Sequence, residues 1–174
     1  MLNNTKNKGF TLIELVISIF ILVVAIIGVY NSFSTVVVLT AGASSRFTAV
    51  YLAQEGIEII RNMRDDNWLN NSPDWKTGLL GCENGCEADY KTGTSASANA
   101  GLTPFSDSYL KIKNNFYSYD SADPFTVTKF KRKITITAPD PLNQDVLRVS
   151  VLVTWDEKEE TFDIEAEEYL YNWY

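Results

Sequence analysis

The feature that most constrains this chain is a long stretch near its N-terminus that carries no charge. No Asp, Glu, Lys or Arg occurs between residues 15 and 45, and the most apolar part lies between residues 15 and 29. Together with the apolar residues from Phe10 onward, this gives about 20 residues, which as a helix rising about 1.5 Å per residue match a bilayer core of about 30 Å. The chain is therefore expected to contain a membrane-spanning helix.

One acid, Glu14, lies just inside this apolar segment, and Lys6 and Lys8 precede it. A charge within a membrane-length apolar segment is costly, so such a residue usually has a partner. Positively charged flanks tend to stay on the cytoplasmic side. We therefore predict a single-pass protein of the cytoplasmic (inner) membrane, with its N-terminus inside and the remaining chain outside.

The composition narrows the function classes. The chain has 174 residues, enough for one ordinary domain plus an extension, and its net charge of -7 argues against a nucleic-acid-binding surface. It has no His, the commonest general base and metal ligand, and only two Cys. No nucleophile elbow, phosphate loop or HExxH motif is present. The sequence thus gives no support for an enzyme, a cofactor or a metal site.

Three interpretations of the N-terminal segment compete. A secretory signal peptide has an apolar core of about 7–15 residues ending at small residues, whereas the small residues at 41–43 lie far downstream of a longer core. A plain membrane anchor leaves Glu14 unexplained. Residues 9–14, Gly-Phe-Thr-Leu-Ile-Glu, resemble a third kind of segment, the prepilin signal of type IV pilins and type II secretion pseudopilins.

This resemblance implies a processing pathway and a set of partners. A prepilin peptidase would cut between Gly9 and Phe10 and methylate the new amine of Phe10, so that Glu14 becomes the fifth residue of the mature chain. Other pilin or pseudopilin subunits, an inner-membrane assembly platform with its ATPase, and membrane lipid would be the remaining partners. Residues 1–9 would then be the leader, 10–30 the transmembrane and filament-core helix, and 31–174 an extracytoplasmic pilin-like domain.

The physical chemistry of Glu14 agrees with that pathway. The carboxylate follows the new amine by about one helical turn, and in a packed bundle it would meet the amine of a staggered neighbour. Low dielectric makes an uncompensated charge costly there, which would favour adding subunits in register. The alternative is an interfacial acid that lies near the lipid headgroups.

Helical spacing persists beyond the membrane segment and predicts one helix from about Thr11 to Arg64, ended by the polar residues 65–67. A break at Gly42 is the alternative. The apolar residues form two neighbouring stripes, Val50, Ala53, Ile57 and Ile60 in one and Leu52, Ile59 and Met63 in the other.

Residues 65–124 carry weak periodicity and many turn formers, with short strands expected at 109–113 and 116–119. Cys82 and Cys86 would lie on the oxidising side of the membrane, and Asn84-Gly85 between them suits a turn. We predict a local disulfide, with a free-thiol redox role as the alternative.

The C-terminal third predicts a three-strand antiparallel meander with one apolar face. Turns are expected at 139–143 and 156–159. The alternating apolar residues are Phe130, Ile134, Ile136 and Ala138, interrupted by Arg132; then Leu147, Val149, Val151, Val153 and Trp155; then Phe162, Ile164 and Ala166. The second half of the helix has a matching stripe to cover that face. The predicted fold class is α+β and pilin-like, a long N-terminal helix packed on an antiparallel sheet.

Four downstream patterns refine the resemblance, since they are similar to minor pilins and to the I-type minor pseudopilin. They are Tyr-Leu-Ala-Gln-Glu-Gly at residues 51–56, Phe130-x-Arg132-x-Ile134-x-Ile136, the Val-x-Val-x-Val-x-Trp of residues 149–155, and the closing Tyr169-Leu170-Tyr171. The chain lacks the Pro that many major pilins have in the membrane helix. The resemblance implies a structural filament subunit, with a minor, priming role as the favoured hypothesis. A membrane-anchored surface-binding or adhesion module is the alternative.

Three other groups of residues have competing interpretations. The acids at 156–160 suggest a solvated hairpin tip rather than a calcium site, because they do not follow EF-hand spacing. The aromatic residues at the C-terminus are expected to close the core or form a subunit contact, with an adhesive patch as the alternative; they are Tyr169, Tyr171, Trp173 and Tyr174. Two groups of lysines are candidates for a small basic surface, Lys111 with Lys113 and the lysines at 129–133.

Overall fold

The computed structural model describes residues 9, 11–70, 72, 74–93, 101–122, 124–140 and 145–172. The chain divides into two compact units, Met1–Ser44 and Ser45–Tyr174. One helix, α1, covers Leu12–Leu69. The second unit also contains a seven-stranded antiparallel sheet. The predicted α+β, pilin-like layout is confirmed.

Helix α1 is continuous through Gly42, so the alternative of two helices is wrong. The predicted end at Arg64 is also wrong, since α1 continues to Leu69. Two side-chain contacts explain the longer helix. The guanidinium of Arg64 lies 4.6 Å from the centre of the Trp68 ring within the helix, and Trp68 packs against Trp75 in the segment that follows. These contacts outweigh the low helix propensity of the polar residues at 65–67.

The buried face of α1 in the second unit is close to the predicted stripes. Its buried apolar residues are Ala49, Leu52, Ala53, Ile59, Ile60 and Met63. Val50 is the exception, being 36 % exposed, and Ile57 is only partly buried. The face toward the sheet is centred on Ala49, Ala53 and Ile60, which leaves Val50 on the flank.

The strands follow in chain order. They are β1 (Cys86–Glu87), β2 (Thr103–Pro104), β3 (Tyr109–Lys113), β4 (Phe116–Ser118), β5 (Thr126–Thr137), β6 (Val146–Glu157) and β7 (Glu160–Tyr171). The long strand β5 pairs with β6 along one edge. Its other edge is shared, because β3 pairs with residues 126–131 and β1 pairs at Ile134. The short strands expected at 109–113 and 116–119 are confirmed within one residue.

The predicted meander is formed by β5, β6 and β7, each of 12 residues. Strands β6 and β7 keep one register from Val146↔Tyr171 to Glu157↔Glu160. Their turn, Lys158-Glu159, has φ of 53° and 68°, the backbone of a two-residue hairpin. Asn114-Asn115 closes the β3–β4 hairpin in the same way, with φ of 52° and 66°. Ala138 lies just beyond β5 and is exposed, and most of the predicted turn at 139–143 lies outside the described residues.

The second half of α1 covers the apolar face of the meander, as predicted. Ile134, Val149, Val151 and Val153 are completely buried in the same cluster as the helix residues. Gly56 marks the closest approach: a Cβ at this position would lie 2.8 Å from Cγ1 of Val151. No side chain fits there without movement, so glycine permits the helix to lie on β6 at this distance.

Arg132 was expected to interrupt the apolar face of β5, but it is completely buried in the core. Its Nη1 donates to the carbonyl oxygen of Leu52 at 2.9 Å and to Oε2 of Glu55 at 2.7 Å, and its Nη2 donates to the carbonyl of Ala88. Tyr119 donates its hydroxyl to the backbone carbonyl of Arg132 at 3.0 Å, and burial raises the pKa of that phenol. The cation therefore joins the helix, β5 and the segment after β1.

Substitution of Gly56 by Ala is expected to destabilise the second unit by about 1–3 kcal/mol through overpacking. On an isolated helix the same change would be favourable by about 1 kcal/mol, so the sign of the effect reports the contact with Val151. The measurement is urea unfolding of the purified chain in detergent, followed by tryptophan fluorescence. Gly42→Ala is the matched control, because a Cβ at Gly42 would meet nothing within 4 Å. Equal effects of the two changes would contradict this interpretation.

Substitution of Glu55 by Ala leaves the buried guanidinium of Arg132 without its carboxylate. We expect a loss of about 3 kcal/mol, the lower end of the range for a broken buried pair, because the Glu55 side chain is 34 % exposed. Glu58→Ala is the control, since its pair with Arg61 is solvent-exposed and should contribute less than about 1 kcal/mol. Urea unfolding measures both, and a loss no larger for Glu55→Ala than for Glu58→Ala would refute a structural role for the buried pair.

Candidate functional site

The junction between the leader and the helix is defined by a helix cap. The carbonyl oxygen of Thr11 accepts the first bond of α1, from the N–H of Leu15 at 3.2 Å. The side-chain Oγ1 of Thr11 accepts the N–H of Glu14 at 3.3 Å. These two bonds identify Thr11 as the N-cap, with Leu12 as the first helical residue. Gly9 lies outside the helix, is exposed, and has no atom within 4 Å of a Cβ built on it.

The structure places Glu14 in the first turn of α1, three residues after the cap, and exposed. A carboxylate is favourable there because the helix dipole puts partial positive charge at the N-terminus. Phe10, the predicted residue for methylation, lies outside the described residues. Thr11 and Glu14 have the Thr-x-x-Glu spacing of a capping box, and this spacing is the sequence signal that locates the first helical residue at Leu12.

The described part of the first unit, from Leu12 onward, presents an exposed apolar surface. The large apolar side chains described between Leu12 and Leu39 are between 45 % and 81 % exposed. The helix is long and apolar enough to cross a membrane. At about 1.5 Å per residue, Leu12 to Leu39 spans about 40 Å, whereas the hydrocarbon core of a bilayer measures about 30 Å. The segment with exposed apolar side chains is thus about 10 Å longer than the hydrocarbon core of a bilayer.

Four hydroxyl groups of this segment are bonded within the helix. Each donates to the carbonyl of the residue four positions earlier, at distances of 2.8 to 3.1 Å; they are Ser18, Ser32, Thr35 and Thr40. Such bonds remove the cost of placing a hydroxyl group in an apolar environment. Glu14 is the only acidic or basic residue between Leu12 and Ser45 in the sequence, so it is the one such side chain that an apolar partner would have to accommodate.

The structure joins Cys82 and Cys86 by a disulfide, with the Cα atoms 5.3 Å apart. Gly85 closes the loop with a φ of 106° and donates its N–H to the carbonyl of Cys82 at 3.1 Å. The same carbonyl accepts the N–H of Ile136 at 3.2 Å, which attaches the loop to β5. Both cysteines are at least 96 % buried, so the disulfide is placed for stability rather than for exchange with solvent thiols.

The lysines considered for a basic patch, at positions 111, 113, 129, 131 and 133, contact neighbouring side chains. Lys131 pairs with Asp107 at 2.6 Å, and Lys129 pairs with Glu157 at 3.0 Å. The remaining contacts are Lys113 with Asp120, Lys111 with the hydroxyl of Ser121, and Lys133 over the ring of Phe105. Since carboxylates neutralise several of these cations, the described surface offers little excess positive charge for a phosphate backbone.

The carboxyl of Asp120 accepts three hydrogen bonds. Donation from Lys91 at 2.9 Å, from the N–H of Ala122 at 2.9 Å, and from Lys113 at 3.3 Å holds the pKa of this carboxyl well below the usual range. Lys91 is 29 positions away in the chain, and Asp120 is half-buried. It fixes the end of β4 to the segment near Lys91 and has no arrangement suited to catalysis.

Three further features considered from the sequence are a metal site, the acids at 156–160 and the C-terminal aromatic residues. Within the described residues, no group of three or more His, Cys, Asp or Glu side chains is placed to hold a metal ion. The acids at 156–160 lie at the β6–β7 hairpin, where Asp156 accepts the hydroxyl of Thr161. Tyr169 and Tyr171 are about half exposed and do not close the core, because β7 turns them away from Leu170, which is buried. Trp173 and Tyr174 lie outside the described residues.

Comparison with known proteins matches the N-terminal segment only. Residues 4–30 match the family model of the prokaryotic N-terminal methylation motif. No curated protein and no solved structure matches the chain. The motif covers Gly9, Thr11 and Glu14 together with the apolar part of the helix, and it supports a relationship to type IV pilin-like proteins that are processed by a prepilin peptidase.

Replacing both Cys82 and Cys86 by Ala is expected to lower the free energy of unfolding by about 2 kcal/mol, the value for a cross-link that closes so short a loop. Dithiothreitol should lower the stability of the wild-type chain by a similar amount and leave the double variant unchanged. Urea unfolding with and without reductant provides the measurement. A reductant effect on the variant, or free thiols in the unreduced wild-type chain after alkylation and intact mass analysis, would contradict this account.

Proposed function

We propose that this protein is a structural subunit of a type IV pilus or of a related type II secretion pseudopilus. A prepilin peptidase removes residues 1–9 and methylates the amine of Phe10. The mature chain remains in the cytoplasmic membrane with its N-terminus inside. An assembly platform and its ATPase then extract it from the membrane and incorporate it into the filament. The partners are neighbouring subunits, which pack through their N-terminal helices.

The observation that carries this proposal is the length of the uncovered apolar surface. A plain anchor needs about 20 residues, but the exposed apolar side chains continue from Leu12 to Leu39. Neighbouring helices in a filament core would cover the whole length, whereas a bilayer covers only part of it. The exposed aromatic residues Phe47 and Tyr51 in the second unit extend the same pattern.

The position of Glu14 supports the same proposal. In lipid an isolated carboxylate is costly, and within the first turn of α1 the charge is only partly compensated by the helix dipole. After cleavage a positive amine forms four residues before Glu14. Pairing between that amine and the Glu14 carboxylate of a neighbour would neutralise both charges in an apolar bundle and would set the axial stagger between subunits. Subunits added head to tail in this way form an open helical polymer.

The first test is the mass of the mature N-terminus from native cells. We expect loss of residues 1–9 and one methyl group on Phe10. Glu14→Ala should still be cleaved but should be absent from the sheared filament fraction. Ser18→Ala is the matched control, because Ser18 bonds within its own helix, and it should assemble like the wild type. A chain that still begins at Met1, or normal assembly of Glu14→Ala, would favour an anchored surface-binding module instead.

We further propose a minor, priming role rather than the role of the main shaft subunit. The motivation is the resemblance of residues 51–56 and of the Val-x-Trp in β6 to minor pilins and the I-type minor pseudopilin. Deletion of the gene is expected to nearly abolish filament number while the major subunit still accumulates in the membrane. Filaments composed mainly of this protein, as measured by quantitative mass spectrometry, would refute the minor role.

A further inference from the structure

Strand β7 forms one edge of the sheet, and its outer side has no partner strand in the described part of the chain. It pairs with β6 over all 12 of its residues, from Glu160 to Tyr171. The backbone groups that point away from β6 form a row about 40 Å long, at about 3.4 Å per residue. Such a row of donors and acceptors at a sheet edge is a template for an additional strand.

Several usual protections of a sheet edge are missing from β7. Natural edges are commonly kept short, interrupted by a proline or a β-bulge, or given lysine side chains. The edge strands β2 and β4 are short, with two and three residues. Strand β7 is as long as β5 and β6, keeps one register with β6, and contains neither proline nor lysine. It carries acidic side chains instead, and these determine which strands can pair with it.

The outward face of β7 carries a row of carboxylates. Asp163, Glu165 and Glu167 alternate along the strand and are exposed, and β7 contains no Lys or Arg. Arg148 of β6 pairs with Glu167 at 2.6 Å, and the hydroxyl of Ser150 donates to Glu165. In these contacts one cation serves three carboxylates, so the row keeps an excess of negative charge. Opposite charges on facing strands are stabilising, whereas like charges are destabilising.

The core-facing side of β7 is only partly covered. Phe162, Ile164 and Ala166 are partly buried. The residues of β6 that pair with them are all buried; they are Trp155, Val153 and Val151. Exposure of apolar side chains thus increases from β6 to the edge. An added strand with apolar side chains on this side would remove the remaining apolar area from water, which is favourable.

A second copy of β7 does not suit this edge. In an antiparallel pair centred on Ala166, which aligns most of the strand, Glu165 of one copy would lie opposite Glu167 of the other. Like charges in that position are destabilising. The strands with alternating lysines are β3 and β5, and each is already paired on both sides. Within the described residues, a second copy therefore offers no basic strand with an open edge, and the charges favour a different protein.

We propose that the open edge of β7 binds an extended segment of a different protein, in which Lys or Arg residues alternate with apolar residues. The backbone of the segment bonds to the edge, its cations lie opposite Asp163 and Glu165, and its apolar side chains cover Phe162 and Ile164. The same carboxylates repel a second copy of β7, so they provide both recognition and protection. This contact is separate from the packing of N-terminal helices and does not depend on the proposed function.

The test uses the full chain in a nonionic detergent and a fluorescent synthetic peptide of five Lys-Val repeats. Fluorescence anisotropy measures its affinity, and hydrogen exchange with mass spectrometry locates the site. We expect slower exchange in the peptic fragments that contain β7, because the added strand bonds to amides at the edge. A peptide with five Lys followed by five Val has the same composition and charge but cannot present the two residue types on opposite faces of a strand. It should not protect β7.

A pair of charge-reversed variants tests the role of the carboxylates. Asp163→Lys combined with Glu165→Lys should weaken binding of the repeat peptide about tenfold, since two facing charge pairs are lost. Glu83→Lys combined with Glu159→Lys is the matched control, because it changes the net charge equally at two exposed acids outside β7. The control should bind like the wild type. Urea unfolding of both double variants shows whether the second unit remains folded.

The proposal is overturned if the repeat peptide does not protect β7 at its highest soluble concentration, or if protection lies elsewhere. Equal binding of the block peptide, or equal weakening in the control variant, would assign the binding to overall charge and would also overturn it. Protection of β7 that appears without peptide as the protein concentration rises, together with dimers in sedimentation, would assign the edge to a second copy. None of these results bears on cleavage at Gly9 or on assembly through Glu14, so the proposed function can fail or hold independently.

Discussion

A guanidinium group that is completely shut away from water needs a partner for its charge and for its hydrogen atoms. Arg132 meets most of that need by drawing together three parts of the second unit: the carbonyl of Leu52 and the carboxylate of Glu55 on α1, and the carbonyl of Ala88 after β1. Its Nε has no partner among the described residues. Because an unpaired buried charge is far costlier than a lost apolar contact, these bonds restrict the second unit to one position of helix against sheet.

The close approach of α1 to β6 depends on the same arrangement. Gly56 follows Glu55 directly, and its missing side chain leaves room for Val151 and for the stem of Arg132, whose Cδ would lie 3.2 Å from an added Cβ. Glu55 and Arg132 are 77 positions apart in the chain, yet together with Gly56 they form a single contact between α1 and β5.

The two units need different surroundings. The second unit encloses most of its apolar side chains and carries most of its charges at its surface; among the described residues, the buried charged side chains are Arg64, Glu87 and Arg132. The first unit leaves the large apolar side chains described from Leu12 to Leu39 exposed and bonds the hydroxyl groups of Ser18, Ser32, Thr35 and Thr40 within the helix. A chain built in this way needs an apolar environment for one unit and water for the other. A subunit that passes from a bilayer into a filament core would retain both conditions throughout.

Much of this architecture could be predicted from the sequence, because periodicity reports directly on burial. Strands β5 to β7 and the helix that covers them follow from alternation and from helical spacing. Where the prediction was wrong, side-chain packing was responsible: α1 extends to Leu69 as Trp68 packs against Trp75 just beyond the helix, and Val50 is exposed because the sheet faces a slightly different part of the helix. The start of α1 at Leu12 was predictable from Thr11 and Glu14, since a cap is a local interaction.

The sequence by itself determined the membrane-length apolar segment, the signal at residues 9–14, the α+β class and the proximity of Cys82 and Cys86. Each of these depends on residues that are close together in the chain, and local spacing specifies them. Only the tertiary structure decided that Arg132 lies in the core rather than at its edge, that Gly56 is a point of contact, and that β5 shares one edge between β1 and β3. These features pair residues that are 14 to 95 positions apart, and no local pattern specifies which distant partner compensates a buried charge or fills a given space.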